Sequence, residues 1–179
     1  MLYGNDADEI IPGLWLGNYK PALDLDFIKQ NNITVIINCT ADIPFYNEMF
    51  DPKLLKQLPK IETFRISVYD SLLEKDIILM EEYLKYVLPF MLKKYINEKK
   101  KILIHCKAGA QRSAIVVAAF LKILLDKKLL NIPSIPYTRN QNEQYKHIYN
   151  FLLLKRPRVF TYGFRVNFER SYKRFFRIA

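Results

Sequence analysis

Residues 102–126 read ILIHCKAGAQRSAIVVAAFLKILLD. The stretch opens on Ile102, Leu103 and Ile104, an uncharged apolar run that suits a strand buried on both faces. It closes on residues 110–126, which are apolar on nearly every side and predict a helix at the centre of the molecule. A buried strand that runs through a short loop into a buried helix is the repeating unit of an α/β domain with a mostly parallel sheet. In such sheets ligands sit beyond the carboxyl ends of the strands. Cys106 therefore stands where a site is expected.

The rest of the chain fits the same architecture. Residues 10–16 read as strand, Pro12-Gly13 turn and strand. Residues 33–38 (ITVIIN) form a β-branched, uncharged run, and residues 61–68 alternate as a strand does. The expected sheet has about five strands. Apolar residues at helical spacing (Ala22, Leu23, Phe27, Ile28) predict a helix that ends at Asn31-Asn32. Residues 75–97 predict a long amphipathic helix that Pro89 should kink or split. Residues 40–60 and 131–139, rich in proline, are expected to be loops, the first with one short helix. Further helices are expected at 140–155, stopped by Pro157, and at 167–176. With no internal repeat and no Gly/Ser linker, residues 1–179 read as a single domain.

A chain of 179 residues can bury roughly 70% of its unfolded surface, so it needs no disulfide or metal staple. Two cysteines make no disulfide framework and two histidines no zinc cluster, which points to a reducing, cytoplasmic setting. The most apolar stretch, 113–125, is too short to span a membrane and contains Lys122. The acidic residues near the start are wrong for a leader. The net charge of +10 is unevenly spread. Residues 1–92 hold 8 basic and 14 acidic side chains, residues 93–154 hold 12 and 3, and residues 155–179 hold 8 and 1. A basic half favours anionic ligands, although exposed lysines also serve solubility alone.

The segment from His105 to Ser113 carries the chemistry. Arg112 follows Cys106 by six positions. The loop of Lys107, Ala108, Gly109, Ala110 and Gln111 can curl so that successive N–H groups point inward, a nest for a phosphate oxyanion on a helix N-terminus. Gly109 permits the bend, and Arg112 adds a fork for two phosphate oxygens. The same positive field favours a Cys106 thiolate, so its pKa should fall well below ~8.5. A thiolate facing a bound phosphate is a nucleophile held in line. Ser113 can donate to the sulfur and ease its departure. The bland alternative is a core thiol at a strand end. Cys39, at the end of the 33–38 strand, reads first as a small buried apolar residue. Three carboxylates, Asp70, Glu74 and Asp76, share the loop after residue 68. A general acid, a turn residue, a helix cap and a solvated charge are all open to them.

HCKAGAQRS resembles the signature of the cysteine-dependent protein tyrosine phosphatases, and of their dual-specificity branch in particular. EIIPGLWLGN (9–18) is similar to that branch's opening strand pair. FIKQNNITVIINCTADIPF (27–45) is similar to its first helix, core strand and loop. RISVYDSLLEKDI (65–77) resembles its general-acid segment, and LKRPRVFTYGFRVNFERSY (154–172) its closing segment. The departures are a longer, Pro-richer loop at 127–142 and Ala114 after Ser113, where many protein-directed members have Gly. The resemblance implies Cys106 as nucleophile, Arg112 as phosphate ligand and Asp70 as general acid. It implies that His105 orients the loop and that no metal or organic cofactor is needed. Similarity to redox-regulated lipid phosphatases makes Cys39 a candidate disulfide partner for Cys106. Resemblance to viral members, with a composition biased as in an AT-rich genome, points to a large DNA virus as a source.

Three substrate readings follow from the resemblance. The first is phosphotyrosine and phosphoserine/threonine proteins. The second is phosphoinositides, other phospholipids or RNA 5′-phosphates. There Lys107 would meet a second phosphate, and the basic tail (Lys155, Arg156, Arg158, Arg165, Arg170, Lys173, Arg174, Arg177) would meet lipid or RNA, with Phe160, Tyr162, Phe164 and Phe168 either stacking on bases or buried in the core. The third is a phosphate-binding module without catalysis.

Overall fold

The run at 102–105 becomes the middle strand of the sheet in a computed structural model that describes residues 4–71, 73–160 and 168–179. The strands are β1 (Ala7–Ile11), β2 (Leu14–Gly17), β3 (Ile33–Asn38), β4 (Glu62–Arg65) and β5 (Lys101–His105), ordered β1-β2-β5-β3-β4. Only the β1–β2 pair is antiparallel. The expected mostly parallel five-stranded sheet is thus present. β5 alternates as a doubly buried strand must. Ile102 and Ile104 enter the larger core, and Leu103 enters a smaller one with Trp15, Phe27 and Ile28.

The helices are α1 (Leu25–Gln30), α2 (Pro52–Leu55), α3 (Glu74–Leu92), α4 (Arg112–Asp126), α5 (Gln141–Lys155) and α6 (Glu169–Phe175). The apolar run after the loop is α4, with every residue from Arg112 to Lys122 buried beneath α3, α5 and α6. Lys122 is tolerated there because Asp126, Gln141 and Gln144 all accept from its ammonium, the first at 2.8 Å and the last at 2.7 Å.

One expectation about an element end fails, and of the two outcomes open at Pro89 the split does not occur. α3 is not split at Pro89 but continues to Leu92 and then loosens into a π-helical turn at Lys93–Asn97. Pro89 and Lys85 both lie on the exposed face, so water can serve the Lys85 carbonyl that the proline cannot reach. β4 stops at Arg65 rather than 68, because its partner β3 ends at Asn38, which pairs with Arg65. The final helix begins at Glu169, and position 167 lies outside the described residues. Among the described residues no helix is long and apolar enough to cross a membrane.

What this fold does for the site is to align strand ends. Gly17 and Asn38 both pair with His105, so β2, β5 and β3 finish level. The next residues along each strand, Asn18, Cys106 and Cys39, therefore emerge side by side at the carboxyl edge.

Candidate active site

The loop from Cys106 to Arg112 wraps the Cys106 sulfur. The Gly109 N–H donates to Sγ at 3.2 Å and the Ser113 hydroxyl at 3.1 Å. The backbone of Ala110 and Ser113 also bonds the sulfur. Burial works against ionisation of this 2%-exposed thiol. The Arg112 charge, the Ser113 hydroxyl and the loop amides outweigh it, and the pKa falls below the ordinary thiol value. This is the direction expected of a nucleophile and the opposite of an inert core cysteine.

Gly109 has φ of +66°, and a Cβ there would lie 2.5 Å from the Gly17 carbonyl. Both the bend and the close approach to β2 require glycine. Arg112 opens α4, buried but for 6% of its surface. Its Nη1 donates to the Val68 carbonyl at 2.9 Å, which fixes the guanidinium against the segment between β4 and Asp70. Its buried Nε meets no acceptor among the described residues and suits a ligand oxygen. Gln111 is buried in the N-cap position without capping α4.

A cleft of about 410 Å³ opens over the loop, lined by Cys106, Arg112, Lys107, Asp70, Tyr19 and Arg158 among others. The three carboxylates after β4 part company here. Asp70 is exposed and lines the cleft. Asp76, only 3% exposed, turns back from the first turn of α3 to accept the Ser71 hydroxyl and, at 3.4 Å, the Tyr69 N–H. It braces the loop that carries Asp70, much as a third-position carboxylate does in a capping box. Glu74 is held at the surface by both terminal nitrogens of Arg170, at 2.6 and 3.0 Å.

His105 is 1% exposed, and its Nδ1 lies 3.1 Å from the Cys106 carbonyl oxygen, a contact that requires the proton on Nδ1. Burial pushes its pKa from 6.5 down to about 4, with Arg65 and Arg112 acting in the same direction and the backbone contact against it. The ring is therefore neutral near pH 7 and is bonded to the first peptide of the loop. Between pH 6.5 and 4 the unfolded chain takes up a proton that the folded chain refuses. This contribution to stability is complete above pH 6.5 and is lost as pH falls towards 4. Urea titrations should show roughly 2 kcal/mol less stability at pH 4.5 than at pH 7.5 from this group. The same loss in His105→Gln would contradict the assignment.

Cys39 is fully buried and unbonded as a disulfide, its N–H donating to the His105 carbonyl at 2.7 Å. Burial pushes its thiol well above the ordinary value, the Cys106 charge adds to this, and Arg112 opposes it. Lys107 is exposed on the cleft rim. Among the described residues no group of three or more His, Cys, Asp or Glu could hold a metal ion.

The reading of the basic tail is corrected. Arg156 is fully buried. Arg170 and Arg174 pair with Glu74 and Glu81 of α3, and Lys173 with Glu169. Phe160 and Phe168 are core residues. Arg165, Tyr162 and Phe164 lie outside the described residues. Arg170 and Arg174 thus dock α6 on the acidic α3, and the two described aromatics offer no face for a base. Sequence reasoning also passed over Asn18, Tyr19 and Val68 as parts of the site. The level strand ends bring Asn18 and Tyr19 there, and the Arg112 bond ties in Val68.

A profile described as "Dual specificity phosphatase, catalytic domain" matches residues 14–159, and the chain belongs to this family. It is 28% identical over 120 residues to the dual specificity protein phosphatase Mpk3 of Drosophila melanogaster, covering 66% of this chain and 26% of that protein. It is 28% identical over 119 residues to dual specificity protein phosphatase 1B of Arabidopsis thaliana, covering 66% and 62%. The chain thus spans less than two thirds of the length of these relatives. The crystal structure of human DUSP28 superposes with a TM-score of 0.67 at 17% identity, over 96% of this chain and 93% of that one, a likeness of fold.

Proposed function

We propose that this chain is a dual-specificity protein phosphatase that hydrolyses phosphotyrosine and phosphoserine/threonine monoesters through a cysteinyl-phosphate on Cys106. The observation that carries the reading is the sulfur itself. It is ringed by N–H and O–H donors, lowered in pKa, and shares one cleft with Arg112 and Asp70. The Cys106 thiolate attacks phosphorus while Arg112 and the loop N–H groups hold the equatorial oxygens. The P–O bond to the leaving oxygen breaks, and Asp70 gives that oxygen its proton. Water then attacks phosphorus, Asp70 takes its proton, and the S–P bond breaks. The Ser113 hydroxyl, 3.1 Å from the sulfur, eases the thiolate's departure. The catalytic unit extends beyond the matched 14–159, since β1 completes the sheet and α6 packs on α3. A thiolate nucleophile suits a reducing, intracellular compartment.

Lipid and RNA substrates are less favoured, because four of the eight basic residues expected to meet them, Arg156, Arg170, Lys173 and Arg174, are buried or ion-paired. A silent binding module has no use for a depressed thiol beside a carboxylate. The test is hydrolysis of phosphotyrosyl and phosphothreonyl peptides, phosphoinositides and 5′-triphosphate RNA at equal concentration. The reading expects both peptides to lead in kcat/KM. A lead for lipid or RNA would overturn the protein assignment, and no turnover of any would overturn the enzyme.

Cys39 extends the reading to redox protection. Peroxide oxidises Cys106 to a sulfenic acid, and the Cys39 thiol displaces water from it to give a disulfide that added thiol reduces. Thiol should then restore peroxide-treated enzyme fully, and Cys39→Ser should lose most of that recovery. Equal recovery in Cys39→Ser would remove Cys39 from this role.

A further inference from the structure

Arg156 is fully buried at the foot of α5, about as far from the loop in sequence as one element is from the next but one. Its Nε donates to the Gly109 carbonyl at 2.9 Å, and its Nη2 to the Ala108 carbonyl at 3.3 Å. Its Nη1 donates to the Asn5 carbonyl at 2.9 Å and to Asp8 Oδ2 at 2.8 Å. A buried arginine is costly unless each face of its fork is bonded, and here each is.

The choice of carbonyls is informative. A trans peptide points its C=O and the next residue's N–H in opposite directions. Drawing the Ala108 carbonyl outward aims the Gly109 N–H inward, and drawing the Gly109 carbonyl outward does the same for the Ala110 N–H. These are two of the donors that bond the Cys106 sulfur. We propose that Arg156 is a positioning residue that turns two peptide units of the phosphate loop so that their N–H groups face the nucleophile, with Asp8 of β1 holding its fork from behind. Arg156 touches neither sulfur nor substrate. Its cation lies directly behind the loop, so it also adds to the field that favours the thiolate and a bound oxyanion. A side chain that only glued β1 to α5 would need Asn5 and Asp8 and would have no reason to engage the loop carbonyls.

The test measures Cys106 alkylation by iodoacetamide against pH, read by mass spectrometry of the Cys106 peptide so that Cys39 does not contribute. Variants are Arg156→Lys, which keeps the charge but cannot serve both carbonyls, and Asp8→Asn/Arg156→Met, which removes both buried charges together and leaves none unpaired. In folded protein the alkylation midpoint should rise by about one pH unit in Arg156→Lys and further in the double variant. Inhibition by vanadate should weaken about tenfold, since the same N–H groups hold the oxyanion. A wild-type midpoint and wild-type vanadate affinity in either folded variant would overturn the proposal. So would failure of both variants to fold, which would make Arg156 a residue of the fold alone. The inference deepens the phosphatase reading, but alkylation does not depend on turnover. A raised midpoint in an enzyme with no phosphatase activity would leave the positioning role standing and sink the proposed function.

Discussion

Cys106→Ser should abolish turnover, lowering kcat by at least about 10⁴-fold on any phosphate monoester while leaving substrate binding nearly intact. The cradle explains both halves. The Gly109 N–H and the Ser113 hydroxyl that now bond sulfur can bond a serine oxygen in the same place, so the loop keeps its shape. What is lost is the anion. Arg112, the Ser113 hydroxyl and the loop amides lower a thiol whose ordinary value lies only a unit or two above neutrality (~8.5), whereas an alcohol starts far too high for the same field to ionise it. The variant should therefore retain phosphopeptide at affinities close to the wild-type KM. Isothermal titration with a phosphotyrosyl peptide measures this directly. Residual turnover within tenfold of wild type would exclude Cys106 as the nucleophile.

Asp70→Ala should lower kcat for a phosphopeptide by about 10²-fold or more with KM little changed, because a proton donor acts in the transition state and not in binding. The loss should shrink for an aryl phosphate whose leaving group needs no proton. Asp76 gives the contrast. It braces Tyr69 and Ser71 and lies outside the cleft lining, so Asp76→Ala should act only through the placement of Asp70, with a smaller loss than Asp70→Ala and a weaker dependence on the leaving group. If leaving-group dependence follows Asp76 and not Asp70, the acid is Asp76.

The parts legible in the sequence are those whose causes are local. Ile102 to Asp126 declares strand, loop and helix because burial on all sides forbids charge, and the loop's chemistry lies within nine residues of that run. The parts that escaped depend on what a side chain meets across the fold. Arg156 sits among eight basic residues of the tail and looks like its neighbours until α5 brings it under Gly109. Arg170 and Arg174 look like a surface for anions until α6 lies against Glu74 and Glu81. Pro89 reads as a break because its cost is local, but the exposed face of α3 lets water cover it. The rivalry of Asp70 and Asp76 could not be decided from spacing, since only the fold shows that Asp70 stays in the loop and lines the cleft while Asp76, in the first turn of α3, turns beneath that loop.

The most direct test of the account is rapid acid quench during turnover of a phosphotyrosyl peptide, followed by mass spectrometry of the digested protein. The account predicts phosphate covalently bound to Cys106 at a level that rises within the first turnover and decays once substrate is exhausted. Phosphate on another residue, or none on Cys106 at any time while product accumulates, would contradict it.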